Sequence, residues 1–218
     1  MRAVVRDPRF LIGAGVLGAA WLGPLPRMVG ESFTAHMLLH MIVVAIAAPL
    51  LAVALAARLD GRAIAGRMLA FALLASLLDL FVIWGWHLPA LHEATRTTGW
   101  VLAAEQGSFL AVGLFVWVTA LAAPAASAQA AALAGAGALF FTSMHMTLLG
   151  VLLGLAQTPI CRTWSGAGPL FGLTILEDQQ VGGTVMLAVG GSVYLAGGLV
   201  LVARVLRLPA GDLEERHP

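Results

Sequence analysis

The chain has few charged residues and no lysine. Only 11% of its 218 residues are charged and all twelve basic residues are arginine, whereas about a quarter of residues are charged in a typical soluble domain. Hydrophobic residues make up 60% of the chain, and the mean hydropathy is +0.93. These values predict an integral membrane protein. A net charge of +1 gives no reason to expect nucleic acid as a partner.

The sequence also lacks the common catalytic and cysteine motifs. One cysteine, Cys161, excludes an internal disulfide and any CxxC metal motif. There is no phosphate-binding loop, no HExxH zinc motif and no GxSxG nucleophile motif. We therefore expect a protein that is not an enzyme.

Uncharged stretches locate the helices. About 20 apolar residues in a helix cross the hydrocarbon of a bilayer. The uncharged run from Gln106 to Ile160 is too long for one crossing and must turn, most simply near Pro124. The chain is predicted to be all-α, a polytopic bundle in residues 1–208 followed by a polar tail, 209–218. Six spans are predicted, near 10–25, 32–57, 68–87, 99–123, 130–157 and 179–206.

The distribution of arginine predicts the orientation of these spans. With both termini in the cytoplasm, nine of the twelve arginines lie inside, as the positive-inside rule requires. His36 and His40, His87, Glu105 and residues 177–180 then lie at the outer face. Any chemistry should face the periplasm or the cell exterior.

His36 and His40 open the second predicted span. Their spacing of four places both imidazoles on one helix face, where one ion can contact both. Met37 and Met41 repeat that spacing on an adjoining face, and imidazole with thioether favours copper, particularly Cu(I). In the alternative interpretation, the histidines form hydrogen bonds between helices and the methionines fill the core.

Other candidates lie on other spans. His87 is the first choice for a third ligand, ahead of His92, and His145 with Met146 is a further choice. His145 fits equally well as a hydrogen-bonded core histidine. Asp79 is interpreted as a structural hydrogen-bonding group, because it lies about two turns from His87 along the helix.

Polar residues beside these histidines are candidates for a supporting role. Glu105 can orient a ligating histidine, and Asp178 and Gln179 either cap the start of span six or support the site. Farther along span six, Gly183, Gly190 and Gly197 recur every seven residues. This glycine stripe predicts close helix packing, within the bundle or with a partner such as a docked protein.

Five segments together resemble the multi-spanning CtaG family of cytochrome c oxidase assembly factors. They are HMLLH (36–40), APLL (48–51), WHLP (86–89), GLFVW (113–117) and LEDQQVGG (176–183). The resemblance implies a bacterial inner-membrane protein that matures a haem–copper oxidase by aiding copper delivery. Implied partners are the lipid bilayer, an oxidase subunit and a periplasmic copper donor.

The residues carried over by position are His36, His40, His87, Glu105, Asp178 and Gln179. The chain departs from the family pattern at Gln106, where histidine is common, and at Leu187, where tryptophan is usual.

Two other functions remain open from the sequence. The histidines of two helices are also suited to bind a haem as axial ligands, in a redox protein. A structural oxidase subunit without a metal is the third alternative. The oligomeric state and the oxidase served are not determined by the sequence.

Overall fold

The computed structural model describes residues 4–59, 67–122, 128–160 and 172–207, which are helical with no strand among them. Six helices are long and apolar enough to cross a membrane, so the predicted all-α bundle of six spans is confirmed. Spans one to six are Pro8–Met28, Phe33–Ala56, Met68–Trp86, Gly99–Leu121, Ala128–Gly154 and Ile175–Leu206. The location of both termini in the cytoplasm stays a prediction. Cys161 and the polar tail lie outside the described residues.

Span six begins four residues earlier than the sequence predicts, at Ile175. The Thr174 hydroxyl accepts a hydrogen bond from the Glu177 backbone, and the Glu177 carboxylate accepts one from the Thr174 backbone. This capping box satisfies two backbone N–H groups that a helix start otherwise leaves unpaired. The acidic segment therefore starts the helix, as the capping interpretation expects.

Spans two and five form the centre of the bundle. Span two packs against spans one, four and six, while span five packs against spans three, four and six. Span one contacts the bundle mainly through span two and is the least buried of the six. Most polar side chains that the sequence singles out therefore lie between spans two to six.

Span two is interrupted by a π-helical segment, Ile42–Ala47, just before Pro49. The Ala48 N–H donates a hydrogen bond to the Val43 carbonyl, five residues earlier in the chain. In this π-helical register, the next carbonyl, that of Val44, would need a hydrogen bond from the N–H of residue 49. Proline has none. The buried Tyr194 hydroxyl of span six donates to the Val44 carbonyl instead, at 3.2 Å.

A second π-helical segment, Met186–Gly191, interrupts span six and touches the first. The Ser143 hydroxyl of span five donates to the Gly191 carbonyl at 2.8 Å. In each wide segment, a side chain from a neighbouring span therefore satisfies a backbone carbonyl. Such satisfaction is required in hydrocarbon, where water cannot replace a missing hydrogen bond.

The glycine stripe of span six is used inside the bundle. A β-carbon on Gly183 would lie 2.6 Å from the Gly154 nitrogen, and one on Gly197 would lie 2.6 Å from the Trp117 ring. Gly190 faces Met41 and Met146. These three glycines therefore pack against spans two, four and five, so of the two alternatives for the glycine stripe the structure favours packing within the bundle.

Replacing Gly150 by alanine should destabilise the bundle. The added methyl group would lie 2.7 Å from the Leu187 nitrogen and 2.9 Å from the Gly183 oxygen, which are backbone atoms that cannot move aside. Overpacking of this kind costs about 1–3 kcal/mol. Gly137→Ala in the same helix is the control, because no atom lies within 4 Å of its added methyl group. Thermal unfolding in detergent should show a lower midpoint for Gly150→Ala only, and equal midpoints would contradict the packing described.

Candidate metal-binding site

Five buried polar side chains meet at one end of the bundle. They come from the start of span two, the residue after span three, the second turn of span four, and a short helix, Pro89–Thr97, between spans three and four. We call this group the histidine cluster; its members are His36, His40, His87, His92 and Glu105. Four of them have no exposed surface, and His87 is 6% exposed.

The tightest part of the histidine cluster joins three elements. His36 Nε2 lies 3.2 Å from Glu105 Oε1. His36, His92 and Glu105 each offer one ligand atom, and these three atoms all lie within 4.8 Å of one another. Ligand atoms on one tetrahedral ion are roughly 3.3 Å apart when each bond is about 2 Å. Small side-chain movements would therefore let one ion contact all three residues.

The other imidazoles lie next to these three. The ring centroids of His36 and His92 are 4.5 Å apart, and His87 lies 6.1 Å from His92 and 5.8 Å from His40. The rings of His40 and Phe109 are nearly perpendicular, and their centroids are 4.0 Å apart. The predicted ligands His36, His40 and His87 are thus brought together by the fold.

His87 presents a nitrogen that is free to bind an ion. Its Nδ1–H donates to the Ile83 carbonyl at 2.7 Å, and since a carbonyl only accepts, the proton must be on Nδ1. Burial lowers the pKa of His87 to about 4, so the ring is neutral at pH 7. Its Nε2 therefore carries a lone pair and has no hydrogen-bond partner among the described residues. A backbone carbonyl that fixes the tautomer is the usual support of a metal-binding histidine.

His40 and His92 have unsatisfied nitrogens as well. Neither ring nitrogen of either residue has a hydrogen-bond partner within the described parts of the chain. Burial lowers the pKa of His92 well below its ordinary value, which keeps that ring neutral. Buried polar atoms without partners are costly and need an explanation. The hydrogen bond between helices that the alternative interpretation gives His40 is absent among the described residues.

His92 was ranked behind His87 from the sequence, yet it is a full member of the histidine cluster. Pro89 starts the short helix, and the next turn places His92 on its buried face with Thr95 and Arg96. The Arg96 guanidinium donates to the Gly30 carbonyl at 2.7 Å, which holds this helix over the site. The sequence does contain a signal for this helix, because proline is common at the first position of a helix. Pro89 therefore indicates a helix start, and His92 lies in its first turn.

Glu105 and its neighbour Gln106 form one polar unit. The Gln106 amide donates to Glu105 Oε2 at 3.1 Å, while Glu105 Oε1 faces His36. Glu105 was predicted as a supporting residue that orients a histidine, and its contact with His36 fits that role. Its place among the three converging ligand atoms also allows it to bind an ion directly. Gln106 therefore supports Glu105 through this hydrogen bond.

Asp178 acts on the site through the backbone of span two. Its carboxylate accepts hydrogen bonds from the Ser32 hydroxyl at 2.9 Å and from the backbone N–H groups of Phe33 at 2.6 Å and Thr34 at 3.2 Å. The Thr34 hydroxyl donates to the Asp178 carbonyl in return. A negative charge at a helix start also interacts favourably with the helix dipole. Asp178 therefore positions the turn that carries His36.

The Gln179 side chain forms its hydrogen bonds near the end of span five. Its side chain accepts a hydrogen bond from the Ile160 backbone at 2.6 Å and donates to the Leu153 carbonyl at 3.3 Å. These contacts tie span six to the end of span five. Neither hydrogen bond is to a histidine, and a supporting role for Gln179 at the site stays a prediction.

His145 lies apart from the histidine cluster. Its Nε2 is 3.1 Å from Asp79 Oδ2 of span three, and its ring packs on Phe141. Asp79 thus has the structural partner that the sequence led us to expect. The core-histidine interpretation describes His145 better than a place among the ligands at the bundle end.

The predicted thioether ligands are also separate from the imidazoles. Met37 packs on Gly182 and Met41 packs on Gly190, on the side of span two that faces span six, and Met146 of span five also packs on Gly190. Adjacent helical residues project about 100° apart, so Met37 and Met41 do not follow His36 and His40 into one cluster. The single mixed site predicted from sequence is therefore two groups.

Replacing Asp178 by asparagine should loosen the start of span two. The substitution keeps the shape but turns one acceptor oxygen into an amide donor that faces backbone N–H groups. Leaving a buried donor unpaired costs about 1–3 kcal/mol. Glu177→Gln is the control, because Glu177 is exposed and glutamine also completes a capping box. Urea or thermal unfolding should show a loss for Asp178→Asn alone; a similar loss in both variants would remove Asp178 as the specific anchor.

Comparison with known proteins finds one family and no individual relative. No curated protein matches the chain, and no solved structure matches it. Residues 3–208, nearly the whole chain, match the family described as cytochrome c oxidase caa3 assembly factor (Caa3_CtaG). The six spans and the segments that resemble the CtaG family agree with this match. The chain belongs to the cytochrome c oxidase caa3 assembly factor family.

Proposed function

We propose that this assembly factor binds copper in the histidine cluster and delivers it to a haem–copper oxidase subunit. The observation that carries the proposal is the convergence of ligand atoms from His36, His92 and Glu105 within 4.8 Å, in a fully buried position. His87 Nε2 and the ring of His40, whose nitrogens have no hydrogen-bond partner among the described residues, can each add one further nitrogen ligand beside them. Copper is the cargo of the protein, which itself performs no bond chemistry and is not an enzyme.

The donor set suits copper better than the hard cations. Neutral imidazoles bind Cu, Zn, Ni and Fe, whereas Mg and Ca need mostly oxygen ligands. Cu(I) is favoured on charge, because a monovalent cation and the single carboxylate of Glu105 together carry no net charge inside an apolar bundle. A site of few ligands on several elements also suits transfer better than a closed cage of four thiolates.

The polar end of the bundle should face the periplasm of a bacterial inner membrane. The support is the positive-inside rule: if the starts of spans two, four and six face outside, nine of the twelve arginines lie on the cytoplasmic side. A periplasmic donor would then supply copper at the short helix Pro89–Thr97, and an oxidase subunit would receive it. His92, carried by this short helix, is the ligand best placed to leave the others during release.

The haem alternative is less well supported. Two axial imidazoles must lie on opposite faces of a macrocycle. The His36 and His92 rings are only 4.5 Å apart, and the His40 ring is in contact with Phe109. These rings are packed too closely to admit a porphyrin between them.

Copper binding should depend on the histidine cluster. We expect the purified protein to bind Cu(I) under reducing conditions, and the His36→Gln/His87→Gln variant to bind it about 100-fold more weakly or worse. His217→Gln, in the last two residues of the chain, is the control and should bind normally. The measurement is competition with a colorimetric Cu(I) chelator, with the thermal midpoint recorded to show that each variant folds. Unchanged affinity in the double variant would refute the site, and a Soret band with stoichiometric iron would favour the haem alternative.

In cells, the same double variant should lower oxidase activity together with the copper content of the purified oxidase. The physical reason is that weaker binding leaves less copper to transfer at the same supply. Cells carrying His217→Gln should keep normal activity. Normal activity and copper content in cells with the double variant would instead favour a structural role without a metal.

A further inference from the structure

The exposed surface of span four is made of small residues. Apart from Trp100, its exposed positions are glycine or alanine, namely Gly99, Ala103, Ala104 and Ala111. The exposed surfaces of spans three and five instead carry large apolar side chains such as Leu69, Phe81 and Leu152. In membranes, small residues are typical of places where two helices approach closely. The surface of span four therefore has the composition of a contact between helices.

A groove runs between span one and span four, with span two as its floor. It holds two cavities that share Trp21 as a lining residue, one of about 260 Å³ and one of about 370 Å³. Leu39 of span two lines the smaller cavity, and Leu55 of the same span lines the larger one. These two residues are about 24 Å apart at a rise of about 1.5 Å per residue, and the hydrocarbon of a bilayer is about 30 Å thick. This lateral groove is therefore long enough to receive a transmembrane helix.

Small residues lie on both walls of the lateral groove. Gly99 and Ala103 of span four line the smaller cavity, and Ala14 and Gly18 of span one line the larger one. Side chains of this size let the backbone of a third helix come close to both walls.

A buried polar atom without a partner distinguishes the lateral groove from an ordinary lipid-facing surface. Gln106 lines the smaller cavity and is only 3% exposed. Its amide nitrogen donates to Glu105, while its Oε1 has no hydrogen-bond partner among the described residues. A carbonyl oxygen only accepts, so the missing partner must bring an N–H or O–H group. A lipid acyl chain has neither.

The family match indicates what kind of molecule fills the groove. A cytochrome c oxidase assembly factor has an oxidase as its partner, and this chain meets that partner within the membrane. The lateral groove also adjoins the histidine cluster, because Leu39 precedes His40 and Gln106 follows Glu105. A helix in the groove would therefore lie beside the proposed copper site, across the wall formed by spans two and four.

We propose that a transmembrane helix of the oxidase subunit docks in the lateral groove between spans one and four. Its serine, threonine or asparagine side chain donates a hydrogen bond to Gln106 Oε1, as such side chains do between membrane helices. The inference rests on the proposed function for the identity of the partner, but docking itself does not require copper.

The first test fills the smaller cavity. In Ala103→Phe, the added ring takes the space that the incoming helix needs, and we expect at least about tenfold less oxidase subunit to co-purify with the tagged full-length protein. Ala104→Phe is the matched control, because Ala104 is equally small and exposed but projects about 100° away from Ala103. Quantitative mass spectrometry measures the oxidase subunit of the same cells, and the thermal midpoint shows that each variant folds. Equal recovery with both variants would contradict docking in the groove.

The second test leaves the size of the side chains unchanged. A leucine analogue with a photoreactive diazirine is placed at position 22, which lines the larger cavity, or at position 155, just after span five. Leu22 and Leu155 are both strongly exposed, at 89% and 72%. Irradiation of cells should join a transmembrane peptide of the oxidase subunit to position 22 but not to position 155.

Other crosslinking results would overturn the proposal. Lipid adducts alone at position 22, a crosslink to a second copy of this chain, or equal oxidase crosslinks from both positions would each exclude a specific docking groove. Failure of the copper proposal gives a different result: an unaltered protein that binds no Cu(I) but still crosslinks to the oxidase at position 22. A protein that binds Cu(I) without this crosslink would keep the histidine cluster and remove the groove.

Discussion

The attachment of span two to span six by Asp178 is the interaction on which the proposed metal site depends. One buried carboxylate binds the first turn of span two through Ser32, Phe33 and Thr34. Because a regular helix is rigid over a few turns, this contact helps to set the positions of the side chains in Phe33–Met41, before the π-helical segment begins. His36 and His40 are directed toward span four and the short helix, and Met41 is directed toward span six.

Polar groups in the bundle divide into those that the fold satisfies and those that it leaves unsatisfied. The carbonyls of Val44 and Gly191, in the π-helical segments, each accept a hydrogen bond from a hydroxyl of a neighbouring span. The Asp79 carboxylate lies 3.1 Å from His145 Nε2. By contrast, His40 and His92 have four ring nitrogens without a partner among the described residues. These unpaired imidazole nitrogens, gathered at one end of the bundle beside Glu105, are the feature on which the proposed metal site rests.

Parts of the site were predictable and parts were not. His36, His40, His87 and Glu105 could be placed at one end because alternating spans bring the start of one helix beside the end of the next. His92 was ranked too low because a loop position does not reveal that a short helix folds back over the bundle. Met37, Met41, Met146 and His145 were assigned to the same site because spacing along a helix does not tell which neighbour each face meets.

The sequence by itself determined the membrane class, the six spans and the end of the bundle at which the histidines gather, because these follow from hydropathy, helix length and chain direction. Only the tertiary structure decided which polar groups touch. It joined His92 to Glu105 and His36, gave His145 to Asp79, and turned the glycine stripe inward against spans two, four and five. The reason is that helix rotation and pairing arise from packing between spans, and a pattern within one helix does not specify its neighbours.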